Sequence, residues 1–146
     1  MDSSDVAAGL VRLLGLIRWL SPPGLSLTAA AALTTLERSG PRRLTELAAA
    51  EGVSQPAMTQ LVGRLEASGL VERSADPEDG RVVRVQLTDA GRDLVARRRA
   101  ARGERLSGLL AALSPADQEA LAAALPAINK LASARRDSHT DDWREH

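Results

Sequence analysis

Cysteine is absent from this chain, so disulfides, thiolate metal sites, thiol nucleophiles and cysteine-based redox sensing are excluded together. Phenylalanine and tyrosine are missing too, and there are only two tryptophans. A core must then be built from Leu, Ala, Val and Ile, which favours close helix packing over aromatic-filled pockets. No stretch reaches the roughly 18 uncharged apolar residues that a membrane span requires. The first residues, Met1-Asp2-Ser3-Ser4-Asp5, are acidic, unlike the basic start of a secretory signal, and a soluble cytoplasmic protein is expected. Neither sign of charge is in excess, because 19 basic and 19 acidic residues cancel. A nucleic-acid surface would have to come from segregated charge, not from bulk basicity. Lys130 is the only lysine. Arginine suits forked contacts to phosphate and guanine, but in an Ala-rich, Lys-poor chain it also reflects GC-rich coding.

What is present is helical patterning around one short β segment. The 146 residues, 44% of them hydrophobic, make one domain's worth of chain. Val6, Leu10, Leu13, Leu14, Ile17 and Leu20 recur at helical spacing and predict a helix over 5–20. Pro22-Pro23-Gly24 ends it. Thr28 is the expected cap of a second helix reaching Ser39, where Gly40-Pro41 stops it. Thr45 is the expected cap of a short helix from Glu46 to Glu51, and Gly52 supplies a turn. Ser54 caps the next helix, with Pro56 in its first turn, where a missing N–H is tolerated. Met58, Leu61, Val62 and Leu65 form that helix's buried stripe, and Gly69 closes it. Leu70–Ser74 and Val82–Leu87 read as strands, with Val83, Val85 and Leu87 alternating against Arg84 and Gln86. Asp76-Pro77-Glu78-Asp79-Gly80 between them is turn chemistry. Thr88 caps a long Arg-rich helix to about Leu113, and Ser114-Pro115 starts a last helix with Leu121, Leu125, Ile128 and Leu131 on one face. Pro126 should kink or interrupt that helix, and the polar end from Asp137 is expected to fray.

The order helix, Gly turn, helix, hairpin is the informative part. A helix-turn-helix places the first turns of its second helix against base edges in the major groove. Gln55, Thr59 and Gln60 are the candidate base readers, since glutamine bonds adenine through donor and acceptor together and the threonine methyl meets thymine. Ser54, Pro56 and Arg64 lie on the same exposed face, and Ser54, Arg64 and the free N–H groups of the helix start can hold phosphate. Arg81 follows the hairpin turn, with Arg73 and Arg84 flanking it, and a guanidinium there suits a narrow A·T-rich minor groove. Asp76, Glu78 and Asp79 would repel phosphate unless occupied. Asp76 or Asp79 is therefore expected to pair with Arg81 or to cap the turn. The same residues also fit an ordinary solvated helix and a soluble β-turn.

Three narrow apolar stripes on the terminal helices cannot cover one another fully. A second copy of the chain is expected to cover them through an interface of roughly 2,000 Å² or more; the alternative is a monomer with a small Ala-packed core. No Gly-rich phosphate loop, nucleophile elbow or HExxH pattern occurs, so neither an enzyme nor a bound cofactor is expected. His139 and His146, with Asp141 and Asp142, sit in the polar end, which offers no rigid metal site.

Leu44-Thr45-Glu46-Leu47-Ala48, Val53-Ser54-Gln55-Pro56-Ala57-Met58-Thr59, Leu61-Val62-Gly63-Arg64-Leu65-Glu66, Gly69-Leu70-Val71-Glu72-Arg73, Asp76-Pro77-Glu78-Asp79-Gly80-Arg81 and Leu87-Thr88-Asp89-Ala90-Gly91 resemble, in order and spacing, the MarR (multiple antibiotic resistance regulator) family. The likeness spans about residues 5–135. It implies a mainly α (α+β) fold: a winged helix-turn-helix module (26–87), a helical dimerisation region (1–25 and 88–136) and a polar tail (137–146). It further implies a homodimeric repressor on double-stranded DNA with a palindromic operator. Ser54, Gln55, Pro56, Thr59, Gln60 and Arg64 fall on the family's recognition helix. Arg81 falls at its wing-tip arginine, and Asp76 and Asp79 at its wing aspartates. Family members often release DNA when a small aromatic or phenolic acid occupies a cleft, which Leu16, Trp19, Leu33 and Leu36 would line, with Arg18 and Arg38 near a carboxylate. A Trp in an otherwise aliphatic helix is more often plain core. Glu78 and Gly80 stand where the wing is commonly basic, and Gln60 where arginine is frequent. Fewer phosphate contacts imply a shallower salt dependence, at a slope of roughly −0.9 each. A winged-helix module that binds protein through the Arg-rich helix from Arg92 to Arg105 is the other reading of these residues.

Overall fold

The computed structural model describes residues 2–140. In chain order the elements are α1 (Ser3–Leu20), α2 (Leu27–Ser39), β1 (Arg42–Arg43), α3 (Leu44–Glu51), α4 (Gln55–Ala67), β2 (Val71–Ala75), β3 (Val83–Leu87), α5 (Asp89–Ala111) and α6 (Pro115–Thr140). The chain forms two compact units, one ending at Glu104 and one beginning at Arg105.

The core of the first unit is aliphatic, as the missing aromatics require. Ala32, Leu33 and Leu36 of α2, Leu47 of α3, and Met58, Val62 and Leu65 of α4 pack with Val71, Val85 and Leu87 of the sheet and Val95 of α5. Met58, Leu61, Val62 and Leu65 are all buried, so the spacing of apolar residues along α4 places its opposite face outward.

Capping explains most helix starts. Ser26 Oγ accepts from Ala29 N–H at 3.1 Å, so α2 begins at Leu27 and Thr28 already lies inside its first turn. Thr28 is therefore not the cap. Ser54 Oγ accepts from Ala57 N–H at 3.2 Å with Pro56 in the first turn. Gly52, at φ 66°, makes the left-handed turn between α3 and α4, a conformation costly to any residue with a Cβ. Thr88 Oγ1 accepts from Gly91 N–H at 3.1 Å and donates to Gly69 O at 2.6 Å. Ser114 Oγ accepts from Asp117 N–H and donates to Asp117 Oδ2, starting α6.

The antiparallel sheet has order β1-β3-β2, with Arg42 opposite Val85, Arg43 opposite Arg84, and Arg73 opposite Val85 on the other side. The third strand, β1, has no signature in the sequence because two residues carry no alternation; pairing with β3 makes it a strand. Holding Arg43 extended (φ −68°, ψ 150°) also moves the start of α3 to Leu44, without a side-chain cap, so Thr45 does not cap it. Val83 is 41% exposed, so only Val85 and Leu87 of the expected alternation are buried; Val83 pairs with Ala75 at the outer end of the hairpin.

In the second unit α6 runs without interruption through Pro126 and on from Asp137 to Thr140. The expected break at Pro126 does not occur, since one absent N–H removes one bond from a ladder that neighbouring turns maintain. Leu121, Leu125 and Leu131 of α6 are 42–59% exposed, and Val6, Val11, Leu13 and Leu14 of α1 are exposed as well.

Candidate nucleic-acid interface

The α4 face opposite the core carries Ser54, Gln55, Pro56, Thr59, Gln60 and Arg64, all exposed. Ser54 Oγ accepts the capping bond, which leaves its hydrogen available to an outside acceptor. Thr59 Oγ1 donates back to Gln55 O at 2.9 Å, so its hydroxyl is partly engaged. Gln55, Gln60 and Arg64 have no side-chain partner among the described residues. Two amides and one guanidinium thus stand at the surface with their hydrogen-bonding capacity unused.

The hairpin turn is held by its two aspartates in different ways. Asp76, 8% exposed, accepts from the N–H groups of Glu78 (2.9 Å) and Asp79 (3.4 Å) through Oδ1 and from Arg43 Nε (3.0 Å) through Oδ2. Asp76 N–H donates to Val82 O at 2.8 Å and closes the loop from the other side. Asp79 Oδ1 accepts from both the backbone N–H (3.1 Å) and Nε (3.3 Å) of Arg81. The Arg81 side chain is nevertheless 93% exposed, so Asp79 directs it without covering it. Arg73 and Arg84 are placed otherwise. Arg73 pairs with Glu66 of α4 at 3.4 Å and Arg84 donates to Pro41 O at 3.4 Å, so both are tied at the stem while Arg81 alone projects from the tip.

Arg43 is the participant that sequence reasoning missed. With Arg42, Glu46, Asp76, Pro77, Glu78 and Arg84 it borders a polar cleft of about 310 Å³ at the root of the hairpin. The available signal was a pair of arginines between the breaker Gly40-Pro41 and the start of α3, a position where neither side chain had an obvious solvated role.

Asp76 loses its proton more readily than an ordinary aspartate. The Glu78 N–H is the largest cause; burial opposes it, and Arg43 lowers the pKa further. Because the folded pKa lies below the unfolded one, this contribution is complete above the ordinary aspartate range and disappears as pH falls through the depressed value. The turn should hence keep its order at neutral and mildly acidic pH. Asp76→Asn is expected to raise amide exchange at Glu78 and Asp79 at pH 7, measurable by NMR, while leaving exchange in α4 unchanged.

The four residues expected to line a ligand cleft differ in burial. Leu33 and Leu36 are core residues, 0% and 3% exposed, Leu16 is half-buried, and Trp19 is 76% exposed, so it is not core. A smaller cavity of about 70 Å³ lies instead beside Leu33, bordered by Leu25, Ala30, Thr34, Val95, Arg98, Arg99 and Arg102. Arg18 and Arg38 are exposed and outside it. His139 lies in α6, while His146, Asp141 and Asp142 fall outside the described residues; among those described, no group of three or more His, Cys, Asp or Glu side chains could hold a metal. No described helix is long and apolar enough to cross a membrane.

A family model for MarR proteins matches residues 25–83, from the start of α2 to the hairpin. An HTH-type transcriptional regulator of Mycobacterium tuberculosis is 36% identical over 123 residues, 84% of this chain and 86% of the relative. The chain belongs to the MarR family. It is a DNA-binding transcriptional regulator with a winged helix-turn-helix, not an enzyme. Among solved structures, the Rv1404 protein of Mycobacterium tuberculosis superposes with a TM-score of 0.77 at 24% identity, covering 89% of this chain and 94% of that one. The YusO protein of Bacillus subtilis superposes at 0.66 with 26% identity, over 90% and 95%. In MarR terms α4 is the recognition helix and the β2–β3 hairpin is the wing.

Proposed function

We propose that this MarR-family regulator acts as a homodimeric repressor that holds a palindromic operator through both grooves. In this reading residues 26–87 carry the DNA contacts and residues 1–25 and 88–136 the dimer interface. The observation that carries it is the pairing of an unengaged α4 face, Gln55, Gln60 and Arg64, with a single outward guanidinium at Arg81 directed by Asp79. Gln55, Thr59 and Gln60 read bases, Ser54, Pro56 and Arg64 border the phosphates, and Arg81 enters the minor groove. Arg73 and Arg84 serve at the stem, keeping the wing aligned, with secondary phosphate contact. The exposed leucines and valines of α1 and α6 support a second copy, since isolated chains rarely leave so many large apolar groups in water. Release by a small ligand belongs to the same reading.

Footprinting on the chain's own upstream region, with light scattering of the free protein, tests it. Protected half-sites about 10 bp apart, centre to centre, and a dimeric mass are expected. Gln55→Ala and Gln60→Ala should each relax preference at particular base pairs, with little change in overall affinity. A footprint without dyad symmetry, or a monomeric mass, would overturn the dimer reader.

A further inference from the structure

Glycine inside a helix lowers the thermal midpoint by about 2–4 °C relative to alanine, so an interior helical glycine calls for a reason. Of the helices within residues 26–87, α4 alone carries one, Gly63. The fold supplies no reason for it. Its φ is not positive, so the backbone would accept a side chain. A Cβ built there meets nothing within 4 Å, whereas at Gly91 the same Cβ would lie 2.1 Å from Leu70 O. Gly9, Gly15, Gly103 and Gly108 are equally open, but they belong to α1 and α5, outside the module. Gly63 comes one turn after Thr59 and Gln60 and just before Arg64, across the helix from the buried Met58, Leu61, Val62 and Leu65. It therefore sits near the middle of the outward face, flanked by the polar side chains that carry the proposed base reading.

We infer that Gly63 sets how deeply α4 enters the major groove, as a positioning residue for the readers beside it. An α-helix with its side chains is about 10–12 Å across and the major groove about 12 Å wide, so a recognition helix has little clearance. Any side chain at the middle of the outward face props the axis away from the base edges. Thr59 cannot tolerate such a prop. Its hydroxyl donates to Gln55 O at 2.9 Å, so what it offers a base is chiefly its methyl, which acts only in van der Waals contact. Gln60 must likewise come within hydrogen-bond distance of its base. Arg64 and Arg81 are longer, and the pull of a guanidinium on phosphate survives a small displacement. A bare Cα at residue 63 thus serves base reading and leaves phosphate attraction almost unaffected. This role rests on the groove reading proposed above, and it adds a specificity determinant that acts through the lack of a side chain.

The test uses the full chain, a duplex that it selects from a random pool, and a scrambled duplex of the same composition. Fluorescence anisotropy gives both affinities, and circular dichroism gives the thermal midpoint. Gly63→Ala and Gly63→Gln should each melt higher than the wild type, by about 2–4 °C for alanine. Affinity for the selected duplex should fall about threefold for alanine and about 10–100-fold for glutamine, the scale of one or two lost base contacts. Affinity for the scrambled duplex should stay within about twofold of the wild type. A more stable protein that reads DNA less well is a pairing that damage to the fold would not produce. Wild-type affinity in both variants, with Arg81→Ala still weakened, would overturn the depth role and leave the groove reading standing. Equal losses on the two duplexes would also overturn it. Failure to select any duplex, or silence of Arg81→Ala as well, would remove the groove reading and this role with it.

Discussion

Gly91→Ala is expected to lower the thermal midpoint by roughly 6–12 °C, which circular dichroism will measure. A Cβ built at Gly91 lies 2.1 Å from Leu70 O and 3.1 Å from both Leu70 C and Leu87 Cδ2. The obstacle is backbone, not the end of a flexible side chain. Leu70 O also accepts from Thr88 N–H at 3.1 Å, so it cannot retreat without losing a bond at the start of α5. Overpacking a tight contact costs about 1–3 kcal/mol or more, and this contact belongs at the upper end. Gly103→Ala is the control: nothing lies within 4 Å of a Cβ there, and alanine in a helix interior should stabilise by about 0.5–1 kcal/mol. Equal midpoints for the two variants would mean that the seam between α5 and the strands is looser than its geometry states.

Arg81→Ala should weaken operator binding more than tenfold, about 1.4 kcal/mol or more. The side chain is 93% exposed and, among the described residues, makes its ion pair only with Asp79, so its loss leaves the fold alone and removes the wing's outward charge. Arg73→Ala and Arg84→Ala should do less, because Glu66 and Pro41 O already hold those groups at the stem. Filter binding across a salt series separates the cases. A flatter log–log salt slope is expected for Arg81→Ala; affinity unchanged at every salt concentration would remove the wing from DNA recognition.

Much of this architecture could be read from the residues because each relevant signal is local. Ser54 and Thr88 announce their helices through side chains that bond N–H groups three residues on, and Met58, Leu61, Val62 and Leu65 repeat at the pitch of a helix. What escaped depends on partners distant in sequence. β1 exists because β3 lies beside it, and Arg43 matters because Asp76, 33 residues later, is folded back onto it. Thr28 and Thr45 look like caps in isolation, yet Ser26 and the extended Arg43 start those helices first. At Trp19 spacing alone offers core or pocket, and the side chain, 76% exposed, is not in the core. On α4, periodicity sorted inward from outward residues, but it could not tell that Gln55 and Gln60 stay unengaged while Thr59 bonds its own backbone.

The fastening at Asp76 also bears on how operator preference could change over generations. Its bonds, to Arg43 and to the N–H groups of Glu78 and Asp79, are made at the base of the finger, and none requires the side chains of residues 77, 78 or 80. The fingertip is in effect an exchangeable cartridge. Altered tips can be sampled between a retained Asp76 and Val82 while the scaffold beneath is undisturbed, which, under the proposed function, lets new binding sites be acquired without refolding the reader.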